Sequence, residues 1–214
     1  MWLSIRRPAF TARSLTLGTL FNIIFGTLWI GNGLHALESM QTLFLFAALA
    51  VVTTTLLAVC LHLFRSMRSF PLRMPADEFQ CKNRAMSSAT IIQLVGSTFL
   101  SILLVLVGRS ELLLPMIVLS VGLYLLALAP ILNLVHYYIV GALLCLLPIG
   151  IVMLVPATIP LAGVGTSPGT GWLILVGLIG GSIQFGLASV NLSLIVSLRR
   201  RLRTERTLQG VACG

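Results

Sequence analysis

Four carboxamides, Asn22, Gln93, Gln184 and Asn191, interrupt long apolar runs, and they are the residues best placed to do chemistry. Three of them, Asn22, Gln93 and Asn191, each lie seven residues from one end of their apolar run. At the helical rise per residue this puts all three about 10 Å deep, with Gln184 deeper still. An amide in hydrocarbon needs a hydrogen-bond partner, so residues at a shared depth are expected to meet inside a helix bundle. There they could tie helices together, at about 0.6–2 kcal/mol per bond, or line a polar site for a small uncharged or weakly charged solute.

Other reactive groups are sparse. The acidic residues Glu38, Asp77, Glu78, Glu111 and Glu205 all fall outside the apolar runs, so a proton relay built on buried carboxylates is disfavoured. His35, His62 and His136 fall near run ends, where a lone imidazole is an interfacial polar tip. Cys60, Cys81, Cys145 and Cys213 form no C-x-x-C pair, and none lies in an expected external loop, which argues against a disulfide framework. The chain has no H-E-x-x-H, and its G-x-S-x-G match, Gly165-Thr166-Ser167-Pro168-Gly169, sits in a Gly/Pro-rich stretch that follows no strand, unlike a nucleophile elbow. We therefore expect no enzyme, and no catalytic residue, metal site or cofactor. Gly163-x-Gly165 follows no strand and reads as a linker rather than a phosphate cradle.

What must position the amides follows from composition. Of 214 residues, 57% are hydrophobic and 9% charged, with mean hydropathy +1.05. Soluble domains carry roughly a quarter charged residues, so these apolar side chains must face lipid. Runs longer than the roughly 20 residues that cross a bilayer recur along the chain. They lack the alternation of a membrane barrel, which leaves helices as the way to satisfy the backbone.

The expected fold is all-α: one polytopic membrane domain, residues 15–198, forming a bundle of six transmembrane helices. These span about 15–34, 42–64, 86–107, 112–129, 133–156 and 172–198. A basic segment 1–14 precedes the domain and a basic tail 199–214 follows it. The first run is too long for a signal-peptide core and lacks a good cleavage site, so it reads as a retained anchor. Residues 65–85 form a polar, basic stretch broken by Pro71 and Pro75, and the uncharged run from Leu112 to Gly171 is expected to break at Pro130. Pro148 should remove one backbone bond within helix five. No internal repeat relates the two halves.

Of the 14 Lys and Arg residues, only Arg109 falls in an expected outer loop. That bias predicts both termini in the cytoplasm and a multi-pass protein of the bacterial inner membrane. The arginines at 65–84 and 199–206 could also contact anionic lipid head groups. A net charge of +9 placed at segment ends, with no aromatic interleaving, gives no reason to expect nucleic acid as a partner. The partner is the lipid bilayer, with homo- or hetero-oligomers allowed.

Small residues mark close helix packing. Helix six carries Gly177 and Gly181, then Ser182 and Gly186 with Ser189, Ser193 and Ser197; helix one carries Gly18 and Gly26, with Gly33 beyond them. Helices one and six are the expected central pair. The sequence thus describes a non-enzymatic accessory, assembly or regulatory membrane protein, with a small permease or channel-like protein as the alternative.

Overall fold

The computed structural model describes residues 8–37, 42–68, 76–156 and 169–212. Six long helices account for nearly all of them: α1 Pro8–His35, α2 Thr42–Arg68, α3 Ala76–Leu106, α4 Leu113–Leu132, α5 Val135–Leu154 and α6 Thr170–Ala212. A single 3-10 turn, Ser110–Leu112, leads into α4. The helices hold six segments long and apolar enough to cross a membrane: Ser14–His35, Thr42–Ser66, Asp77–Leu106, Ser110–Leu132, Val135–Leu154 and Thr170–Leu202. Such segments satisfy every backbone group internally while presenting apolar side chains outward, which marks the chain as a membrane protein. Hydroxyl residues in them are accommodated by bonding back one turn, as Thr16 does to the Ala12 carbonyl and Thr19 to that of Leu15, each at 2.7 Å.

Helices α1 and α6 make the most extensive contact in the bundle. They run antiparallel: a Cβ at Gly26 would meet Gly181 O at 3.2 Å, and one at Gly33 would meet Ile174 O at 3.2 Å. Helices α4 and α5 form a second antiparallel pair, closed by Gly122 and Gly141. A Cβ on Gly122 would stand 2.9 Å from Gly141 O, and the reverse contact has the same distance. Only glycine lets two backbones approach so closely.

The remaining two helices are peripheral. Helix α2 leans on α1 through Thr27 and Thr53, whose hydroxyls are 2.8 Å apart, and through Cys60 Sγ, 3.4 Å from Thr16 O. Of the α2 span only Cys60 and Leu63 are buried. Helix α3 leans on α4, with Thr90 and Tyr124 hydroxyls 3.1 Å apart, and has no buried residue among those described.

The observed boundaries depart from the sequence reading at two places. The chain does not break at Pro130, which lies inside the last turn of α4. It reverses at Asn133, in the left-handed conformation with φ 59°, and the Asn133 and Leu134 amides both return to the Ala129 carbonyl. Pro130 gives up the bond its amide would make one turn back without ending the helix, whereas the left-handed position that reverses the chain favours a residue such as asparagine. Within the polar stretch 65–85 the described residues, 65–68 and 76–85, are helical. Helix α2 continues to Arg68, and α3 begins at Ala76, just after Pro75. Asp77 and Glu78 occupy its first turn, where they oppose the positive end of the helix dipole, and Glu78 pairs with Lys82 at 3.2 Å. Pro148 sits within α5 without ending it. Arg6, Arg7, Glu38, Pro71, Gly163, Gly165 and Cys213 lie outside the described residues.

Candidate functional site

The structure does not bring the four amides together. It distributes them over three sites on different helix pairs, and the first joins α5 to α6. Asn191, fully buried, places Oδ1 3.1 Å from His136 Nε2 and donates from Nδ2 to the Tyr137 hydroxyl at 3.1 Å. With that amide orientation His136 Nε2 must carry the hydrogen. The two rings stack with centroids 5.0 Å apart. Tyr137 is only 1% exposed, and its hydroxyl faces α1, where a Cβ on Gly18 would stand 3.2 Å from it. Gly18 thus makes room for a tyrosine hydroxyl, not for a helix backbone. Sequence reasoning placed His136 alone at the interface; its link to Asn191 spans 55 residues and has no local signal.

Gln93 forms the second site, between α3 and α4. Its Nε2 donates to Ser97 Oγ and to Ser120 Oγ, both at 3.0 Å, and the two hydroxyls are 2.9 Å apart. Helix α3 has no buried residue among those described, and this serine–amide triangle and the Thr90–Tyr124 pair attach it to α4.

Asn22 and Gln184 form the third site, inside the α1–α6 seam. Asn22 is 5% exposed and Gln184 fully buried, yet Asn22 Nδ2 and both polar atoms of Gln184 have no hydrogen-bond partner among the described residues. A Cβ on Gly26 would stand 3.3 Å from Gln184 Cβ, which fixes Gln184 against α1. Asn22 lies one turn from Gly26 and one turn from Gly18, on the same face of α1.

The small residues of α6 divide by face. Gly177 and Gly181 are buried in the seam: a Cβ on Gly177 would meet Trp29 O at 2.6 Å, and one on Gly181 would meet Gly26 O at 2.9 Å. Ser182, Gly186, Ser189, Ser193 and Ser197 are all exposed, and nothing lies within 4 Å of a Cβ on Gly186. The serines bond back to carbonyls one turn earlier, as Ser182 does to Leu178 O at 2.7 Å. Gly122 and Gly141, which close the α4–α5 pair, escaped sequence reading because they stand on different helices and form no spaced motif.

Two further hollows occur on the surface of the bundle. A cavity of about 360 Å³ opens where Asn32, Ser110, Glu111 and Thr170 converge, with the Glu111 carboxylate 3.4 Å from Arg109. An apolar groove of about 460 Å³ runs between α1, α2 and α6, lined by Ile30, Leu34, Leu45, Leu49, Leu178 and Phe185. None of the four amides lines either one. Among the described residues no three of His, Cys, Asp and Glu come together as a metal site would need. Comparison with known proteins yields no matching family model, curated protein or solved structure.

Proposed function

We propose that this chain is a non-enzymatic, membrane-embedded accessory, assembly or regulatory protein whose polar residues hold helices in place. One observation carries that reading: the four amides are divided among three helix contacts, with Gln93 on a different helix pair from the other three, instead of converging on one cavity. Asn191 spends its hydrogen bonds on α5, and Gln93 spends its own between α3 and α4. The exposed flanks of α2 and α3, with the exposed Ser–Gly stripe of α6, offer surface to lipid or to a partner in the membrane.

Thirteen of the 14 basic residues belong to the N-terminal segment, the α2–α3 connection and the C-terminal tail, which alternating helices bring to one membrane face. That charge bias supports cytoplasmic termini and a bacterial inner-membrane setting. Arginines at 65–84 and 199–206 would then meet anionic head groups on that face.

A small permease is the second reading, and the unpaired amides of Asn22 and Gln184 favour it. The tight glycine contacts at Gly26–Gly181 and Gly33–Gly177 count against a route through the seam. Single cysteines at 22, 93, 184 and 191, in a chain stripped of its own four, test the choice in sealed membrane vesicles. We expect no position to react with an impermeant thiol reagent from both sides. A position labelled from both sides would establish a through-path and the permease reading.

A further inference from the structure

The α1–α6 seam holds more hydrogen-bonding capacity than the protein itself uses. Asn22 Nδ2 and Gln184 Nε2 and Oε1 are buried with no partner among the described residues. The Tyr137 hydroxyl accepts from Asn191 and has no acceptor for its own hydrogen among those residues. These groups lie in sequence along one line. From Asn191 the line passes to Tyr137 Oη, then to Gly18 at 3.2 Å from that hydroxyl (measured to a Cβ built there). It continues to Asn22 one turn along α1, and to Gln184 against Gly26 one turn further. Gln184 and Asn191 are seven residues apart on α6 and share a face, about 10 Å apart along the axis.

Orphaned amides at this depth are expensive, since transfer of an unpaired amide out of water costs about 1–3 kcal/mol even on protein-derived scales. Buried polar groups that lack a protein partner are ordinarily satisfied by bound water, which makes two to four hydrogen bonds. The inventory suits that guest: three donors (two amide nitrogens and a hydroxyl) face one free carbonyl oxygen, so the guest must mainly accept yet also donate. A carboxylate or an ammonium fits neither the balance nor the depth.

We infer that ordered water occupies the α1–α6 seam, bridging the Tyr137 hydroxyl to the Asn22 and Gln184 amides. Toward Gly177 the seam is shut, since a Cβ on Gly177 would already stand 2.6 Å from Trp29 O and one on Gly181 only 2.9 Å from Gly26 O. The inference goes beyond the accessory reading and does not depend on it.

Two measurements decide it. In detergent, Asn22→Leu and Gln184→Leu remove orphans if the seam is dry, and break water-mediated bonds if it is wet. We expect each to lower the thermal unfolding midpoint, and the double variant to fall no further than the worse single one. A rise in midpoint for either would overturn the inference. X-ray radiolytic footprinting of the unaltered chain needs no variant to fold. Hydroxyl radicals formed at bound water should modify Leu187, which lies on α6 between Gln184 and Asn191, more than the equally buried Leu125 of α4. Equal labelling of the two leucines would mean a dry seam, as would follow if Asn22 and Gln184 simply turned to bond one another, and the inference would fall.

Discussion

Asn191 holds α5 to α6 through two side-chain hydrogen bonds. It alone connects two aromatic side chains of α5 to α6, and through Tyr137 it reaches the α1 surface at Gly18. Replacing it with leucine leaves His136 Nε2 and the Tyr137 hydroxyl to find other partners. Interhelical hydrogen bonds in membranes are worth about 0.6 kcal/mol on average and about 1.7 at most. We expect Asn191→Leu to cost about 1–2 kcal/mol, read by reversible unfolding in mixed micelles. In a double-mutant cycle with His136→Phe the two losses should fall short of additivity. Full additivity would mean that the contact carries no energy. The same logic for Gly18 predicts that Gly18→Ala displaces the Tyr137 ring by a few tenths of an ångström and costs less than the changes at Gly177.

At the scale of the helices, glycines separate into those that permit contact and those that do not. Gly177→Val must push α1 away from α6, because even its Cβ would stand 3.1 Å from Gly33 Cα. Overpacking of this kind costs about 1–3 kcal/mol. Gly186→Val meets nothing within 4 Å, and we expect the isolated chain to change by no more than about 0.5 kcal/mol. Thermal unfolding of both variants in one detergent checks the contrast; equal losses would contradict the assigned faces. Sequence spacing marked both Gly177 with Gly181 and Ser182 with Gly186 as packing stripes. Spacing gives the helical face but not which neighbour, if any, covers it. The α4–α5 turn lies within three residues of the expected break, but proline is the louder breaker in the sequence while Asn133 carries the left-handed conformation that reverses the chain. Asn133→Gly should therefore be tolerated, and Asn133→Val should cost about 1–2 kcal/mol through left-handed strain.

For the whole molecule, composition and run length made the six apolar helices legible, because lipid admits so few ways to satisfy a backbone. The amide sites were legible as residues but not as partners. Depth alone suggested that Asn22, Gln93 and Asn191 would meet, yet depth says nothing about rotation around each helix axis, and rotation is set by contacts between distant segments. Topology is the next quantity to measure. Paired phosphatase and fluorescent-protein reporters placed after Arg206 and between residues 157 and 168 should report opposite membrane faces, with the former cytoplasmic. The same signal at both sites would remove one crossing from the scheme.

Pairing of the first and last helices underlies the seam, its buried amides and the water assigned to them. Disulfide trapping in native membranes measures that pairing directly. In a chain whose four native cysteines are replaced, Gly26→Cys with Gln184→Cys places two Cβ atoms about 3.3 Å apart, close to the disulfide range. Oxidation should cross-link this pair rapidly and leave Gly26→Cys with Gly186→Cys unlinked. Failure of the first pair, or equal linking of both, would contradict the arrangement described.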